Sequence, residues 1–250
     1  MTYENLEFSR HDAIALIRLS RLSDATHTLG PSFLRELRAA ATQACDDPSV
    51  KLLVLTGKGK SFSAGTDLIE IRAYTAEEVH RFLRAGQALL RQIMDLAVIT
   101  IAAVNGLALG GGLELALACD MRWAHARAAF GLPESHLGLI PGWGGMSLLR
   151  RTVPESLCVE MVAGGELITA RRAYEAGLVS RIFEGRDFES AVLAEARQLA
   201  GKSKGVLKEI KALWRRERGA IDFAAADRSF LMLWNGRADL ERMPFVDPAG

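Results

Sequence analysis

Two glutamates stand out as groups that could do chemistry, because each is set beside a glycine cluster. Glu114 lies in "NGLALGGGLELALACD" (105–120), where it is the only charge in an apolar run that follows Gly110, Gly111 and Gly112. Glu134 lies in "AAFGLPESHLGLIPGWGG" (128–145), directly after Pro133 and among Gly131, Gly138 and Gly142. A carboxylate on a helix with no polar face is costly to bury. Burial raises its pKa while a nearby helix N-terminus lowers it, and acids perturbed in this way gather at active sites. Each glutamate also has a plainer reading, as a first-turn acid facing the free N–H groups of a helix start, and the residues alone leave both open. His136 is a third titratable group nearby, at a position where packing or surface roles are the more common ones.

The glycines raise a second possibility. The turns "TGKGKSFSAGTDL" (56–68) and "NGLALGGGLEL" (105–115) each follow an apolar strand. Neither binds phosphate by a known fingerprint. A P-loop needs a glycine where Val54 stands, five positions before Gly59, and Gly106, Gly110, Gly111 and Gly112 do not space as G-x-G-x-x-G. Turns without bulky side chains can instead present bare amides to a ligand carbonyl, and two such turns would make an oxyanion hole. Close helix–strand packing is the alternative use of the same glycines.

The elements that must position these groups can be read from pattern. "AIALIRLS" (13–20) alternates as a strand, Pro31 opens a helix, and "VKLLVLTG" (50–57) and "VITIAAVNG" (98–106) are short buried strands. Residues 75–95 have apolar residues at helical spacing, a further strand begins near Met121, and helices dominate after that. The alternation predicts βαβ units and a mostly parallel sheet. A boundary at "FEGRD" separates an α/β core, residues 1–185, from a helical region, 186–250.

Composition bounds the possibilities. The chain has 250 residues, 49% apolar and 24% charged, with a net charge of +1. Those values fit an ordinary globular protein and give no electrostatic reason to expect nucleic acid or an anionic membrane. "GKSKGVLKEIKALWRRER" (201–218) is the one basic run, and such a run is usually a solvated helix face. Cys45, Cys119 and Cys158 match neither a disulfide framework nor a metal site, which points to a reducing cytoplasm. Cys158, in "PESLCVEMV", reads as helix filler and not as a nucleophile. No signal peptide and no membrane-spanning run are expected.

Together these segments resemble the enoyl-CoA hydratase/isomerase family, the crotonase superfamily. "IAAVNGLALGGGLELALACDM" (101–121) is similar to that family's signature along its whole length. "SFSAGTDL" (61–68) resembles its first oxyanion turn, "FGLPESHLGLIPGWGG" its second acid segment, and "LITARRAYEAGLVSRI" (167–182) its late helix–strand segment. The resemblance covers about residues 10–235 and is closest to hydratases that keep both glutamates.

The resemblance implies an α/β crotonase spiral of repeated ββα units with C-terminal helices that form a trimer or a dimer of trimers. It implies an acyl-CoA thioester whose carbonyl oxygen is held by the amides of Thr66 and Gly111. Glu114 and Glu134 become the acid/base pair and Gly142 supplies a water-positioning amide. Ser63, Ala64, Asp67 and Leu68 fall on the coenzyme A wall, and Trp143 beside the acyl path. The implied reaction is hydration of a 2-enoyl thioester to a 3-hydroxyacyl thioester, with coenzyme A as part of the substrate and no metal or redox cofactor. A crotonase-type isomerase, decarboxylase or biosynthetic dehydratase is the alternative. Two segments depart from the pattern: "SDATHTL" (23–29) stands where basic residues usually meet coenzyme A phosphates, and "ERMPFVDPAG" (241–250) lacks the usual Lys/Arg-rich tail. An acyl-carrier-protein thioester is therefore an alternative carrier.

Overall fold

The computed structural model describes residues 2–21, 25–217 and 223–235. β1 (Leu6–His11) and β2 (Ile14–Leu19) form a hairpin whose turn holds Asp12 at φ 55°. α1 (Pro31–Asp46) starts at its proline, where the missing N–H is not needed.

Three rounds of long strand, short strand and helix follow. β3 (Leu52–Gly57) and β4 (Ser61–Ser63) lead into α2 (Leu68–Ile71) and α3 (Ala76–Asp95). β5 (Ile99–Val104) and β6 (Leu107–Leu109) lead into α4 (Gly111–Ala118). β7 (Met121–His125) and β8 (Ala129–Gly131) lead into a 3-10 turn, Pro133–Leu137, then α5 (Gly145–Arg150) and α6 (Glu155–Ala163). The chain continues through β9 (Ile168–Thr169), α7 (Ala170–Glu175), β10 (Arg181–Phe183), α8 (Phe188–Ala200), α9 (Lys204–Glu217) and α10 (Phe223–Asn235).

Each round gives one strand to each of two sheets. The long strands make a sheet of order β1-β2-β3-β5-β7-β10, parallel except for the hairpin, and the short ones a sheet of order β4-β6-β8-β9. This is the spiral of ββα units that the resemblance implied.

Helices on both faces bury the central strands β3 and β5 completely, as a parallel sheet requires. Ala15, Ile17, Leu53, Leu55, Ala102 and Val104 face the cluster that contains α1, α3 and α4. Ile14, Leu16, Leu52, Val54, Ile99 and Ile101 face the cluster formed with Val192 and Ala196 of α8. The alternation in 13–20 therefore separates two buried faces, not a buried face from a wet one.

α3 starts with a reciprocal cap, Thr75 accepting from the Glu78 amide while the Glu78 carboxylate accepts from the Thr75 amide. α4 is buried at all eight positions, Glu114 included. Two contacts tie the last helices to this core. Lys211 of α9, 2% exposed, pairs with Asp120 at 2.8 Å and donates to the Val98 carbonyl. α10 packs on α3, with the Arg91 guanidinium 4.4 Å from the centre of the Phe223 ring. Among the described residues, no helix is long and apolar enough to cross a membrane.

Candidate active site

The first glycine turn is braced from within. Ser63, fully buried, donates its hydroxyl to the His27 carbonyl at 2.8 Å and accepts from the Gly65 amide at 3.1 Å. The Leu29 amide donates to the Gly65 carbonyl at 2.7 Å, and the Leu29 carbonyl accepts from the Asp67 amide at 3.4 Å. In such a parallel bridge Thr66, opposite Leu29, turns its own amide to the other side.

The second turn comes to meet the first. Gly65 has φ +89°, and a Cβ there would lie 2.5 Å from the Leu109 carbonyl oxygen and 2.9 Å from the Gly111 nitrogen. A Cβ on Gly112 would lie 2.3 Å from the Ser63 carbonyl oxygen. The two turns thus pack backbone against backbone, which only glycine allows. Close packing, one of the two uses read for these glycines in the sequence, is what joins the turns. The Gly65 contact sets the turn that carries Thr66 beside Gly111 at the start of α4.

Both glutamates lie at the N-terminal end of α4. Glu114 is one turn into α4, 2% exposed, and its Oε1 accepts from the amides of Trp143 at 2.9 Å and Gly145 at 2.7 Å. Glu134, on the 3-10 turn, reaches over the N-terminus of α4, where a Cβ on Gly110 would stand 3.0 Å from its Oε1. Its Oε2 is enclosed and has no hydrogen-bond partner among the described residues.

Burial pushes the pKa of both carboxyls above the ordinary carboxylate range. The charge of Glu134 adds to the shift at Glu114, and the two amide bonds oppose it. Two acids raised and coupled in this way titrate as a pair, so one can serve as base while the other serves as acid.

The remaining residues fall around this centre. The Gly142 carbonyl accepts from Gln87 Nε2 of α3 at 3.0 Å, so the loop carrying Trp143 and Gly145 is anchored from behind. The amides that seat Glu114 belong to Trp143 and Gly145. Trp143 is fully buried and its ring lies against Gly111 and Gly86. Ala64 donates its amide to the Thr26 carbonyl, and Leu68 is half-buried at the start of α2. The Asp67 carboxylate is committed within the protein: it caps the Glu70 amide and pairs with Arg21 at 2.7 Å.

His136 is exposed and turned to the Gly164 carbonyl. The Cys158 thiol is pushed up by burial, which does not suit a nucleophile. No cluster of His, Cys, Asp and Glu among the described residues could hold a metal ion. Of these groups the sequence reading missed Gln87 and the two amides that seat Glu114. Amides leave no side-chain signal, and the spacing of "GWGG" was the one trace of that close approach.

Comparison with known proteins gives the family. The sequence profile of the enoyl-CoA hydratase/isomerase family matches residues 9–224. The chain is 38% identical over 210 residues to the crotonyl-CoA hydratase of Syntrophomonas wolfei, covering 83% of this chain and 79% of that one. It is 36% identical over 200 residues to a probable enoyl-CoA hydratase of Mycobacterium bovis, covering 80% and 75%. A solved enoyl-CoA hydratase/isomerase from Xanthobacter autotrophicus Py2 superposes with a TM-score of 0.85 at 31% identity, covering 93% of this chain and 88% of that one. The chain belongs to the enoyl-CoA hydratase/isomerase family.

Proposed function

We propose that this chain is a 2-enoyl-CoA hydratase, a hydro-lyase that adds water across the 2,3 double bond of an enoyl thioester. The observation that carries this reading is the pair of carboxylates, buried Glu114 and Glu134 with its enclosed Oε2, at the N-terminal end of α4. The thioester oxygen accepts from the Thr66 and Gly111 amides, which stabilise the enolate that forms there. Glu114, its Oε1 held by two N–H donors, keeps the charge and takes a proton from water as the oxygen adds to C3. Glu134, with its unpartnered Oε2, holds a proton and delivers it to C2. The net change is one water added, with no oxidation, so the chemistry needs neither metal nor redox cofactor. Coenzyme A enters as part of the substrate, and the Gly142 amide and the turn Ser63–Leu68 are the proposed water and thioester contacts.

The carrier and the assembly extend this reading. Residues 25–29 carry no Lys or Arg, and Arg21 is engaged by Asp67 and Thr28, which favours a carrier-protein thioester as the second substrate reading. Ser23, Asp24 and the tail 241–250 lie outside the described residues. Val206, Ile210, Leu213 and Trp214 of α9 are exposed at helical spacing, which supports a homotrimer or dimer of trimers built through the C-terminal helices. Three basic groups of that helix have partners within the chain. Lys211 pairs with Asp120, Arg215 with Asp95, and Lys204 donates to the Pro48 carbonyl, which argues against nucleic acid. Three free, separated cysteines fit the cytoplasm.

The test is the loss of enone absorbance when the protein meets crotonyl-CoA and the matching carrier-protein thioester. Hydration of either supports the reading and identifies the carrier. No hydration of either, together with a double-bond shift on a 3-enoyl thioester or loss of CO2 from a malonyl-type thioester, would replace it by the isomerase or decarboxylase reading.

A further inference from the structure

Trp143 is 1% exposed, and its indole bridges the two helices that flank the candidate site. A Cβ on Gly86 of α3 would lie 2.1 Å from indole Cε2, and a Cβ on Gly111 of α4 would lie 2.7 Å from Cζ3. The ring therefore fills the gap from α3 to the very residue whose amide is to hold the thioester oxygen. Its own backbone amide holds Glu114, so the ring cannot shift without disturbing the base. Behind it stands the Phe82 ring, 5.6 Å away between centroids and tilted by 57°. On the far side of Phe82 a cleft of about 400 Å³ opens between α1 and α3, lined by Leu34, Tyr74, Ala85 and the arginines 35, 38 and 81.

We infer that Trp143, backed by Phe82, is the end wall of the acyl site and restricts this enzyme to short, crotonyl-sized acyl groups. The inference rests on the hydratase reading and deepens it. An acyl chain with its carbonyl oxygen on Gly111 and its C3 before Glu114 must continue past these residues, and the indole and Phe82 close the volume between that point and the cleft. Packed interiors do not yield to a guest of several methylenes without displacing side chains. Gly86 and Gly111 show that the wall is built to shape, since each is the one residue that leaves the ring its room.

The experiment is a chain-length series of 2-enoyl-CoA substrates, from crotonyl to decenoyl, read as kcat/KM for the wild type, Trp143→Ala and Trp143→Phe. A crowded apolar site discriminates by roughly 10- to 200-fold per methylene, so the wild type should favour crotonyl over decenoyl by at least about 100-fold. In Trp143→Ala that ratio should fall at least tenfold, with Trp143→Phe between the two. A ratio cancels any general loss of activity that comes from disturbing Glu114. If Trp143→Ala does not fold, Phe82→Ala is read by the same ratio. A wild type that hydrates decenoyl-CoA as well as crotonyl-CoA overturns the wall, as does a ratio unmoved by the substitutions. A wild type that hydrates no member of the series, on coenzyme A or on carrier protein, sinks the hydratase reading itself.

Discussion

Glu114 receives the Gly145 amide on its Oε1 at 2.7 Å, and a Cβ at residue 145 would stand 2.8 Å from that same oxygen. The glycine is there for close approach, and the carboxylate is seated by the backbone of a loop 31 residues away. Gly145→Ala should push the carboxylate off its seat. A displacement of about 1 Å at a reacting group costs roughly 10²-fold in rate. Stopped-flow hydration of crotonyl-CoA should show that loss in kcat, and an unchanged kcat would mean that the seat does not matter.

The two glutamates should fail in different ways. Glu114→Gln keeps an oxygen for both amides but cannot take a proton from water, so hydration should fall by about 10²- to 10⁴-fold. Glu134→Gln should abolish proton delivery to C2, which is visible as lost incorporation of solvent deuterium at that carbon. Any double-bond isomerisation that survives in Glu114→Gln but not in Glu134→Gln would identify a one-carboxylate reaction. Equal hydration by Glu114→Gln and wild type would remove the pair from the mechanism.

Gly65 is where the two turns touch, and it sits at φ +89° with the Leu109 carbonyl and Gly111 nitrogen against its Cα. The Cβ of Gly65→Ala would stand 2.5 Å from the Leu109 carbonyl oxygen and 2.9 Å from the Gly111 nitrogen, so the turns must part. Separating the Thr66 and Gly111 amides should cost the equivalent of one oxyanion donor, about 10²- to 10³-fold in kcat/KM. The left-handed backbone adds about 1–3 kcal/mol of destabilisation. Urea titration and steady-state kinetics read the two losses separately, and a variant that keeps full activity would show that the amides do not act together.

Long elements were legible in the residues and short ones were not. Pro31 placed the start of α1, the apolar spacing of 75–95 gave α3, and the runs at 50–57 and 98–106 gave β3 and β5. The strands Ser61–Ser63, Leu107–Leu109 and Ala129–Gly131 are three residues each, too short to show a period. They exist because the spiral brings each beside the last. The carboxylates were visible by type, since a charge in an all-apolar helix has few explanations. Their shared environment was not, because Glu134 reaches Glu114 only through packing of β8 against β6. The direction of the Trp143 ring was equally hidden, being set by the absence of side chains at Gly86 and Gly111.

Holding two acids in one enclosed place should show in the pH dependence of stability. Both carboxyls are raised, so the folded chain binds their protons more tightly than the unfolded chain does. That contribution is fully present below the ordinary carboxylate pKa of about 4.3 and is lost as pH rises through the raised values. Glu114→Gln removes one acid and relieves the other. Its Tm should exceed that of the wild type by a margin that widens from about pH 5 to about pH 9. A margin that is constant or shrinks with pH would contradict the raised values.

Asp120 closes the glycine-rich stretch at its far end, and its Oδ2 accepts from Lys211, from the Thr100 hydroxyl and from the Thr100 amide. The pair is 2% and 4% exposed, so its partners leave water on folding and recover the cost only in each other's company. Lys211→Met strands a buried carboxylate and should cost about 3–5 kcal/mol, far above a surface pair. Adding Asp120→Asn to Lys211→Met should return much of that loss, because the stranded charge is gone. Chemical denaturation of the single and double variants gives the coupling directly. Because Lys211 also fixes α9 against β5, Lys211→Met should loosen the helical region before the core, seen as faster amide exchange in α9 than in α4. Uniform exchange across both helices would show that the ion pair stabilises the chain as a whole and does not act as a local clasp.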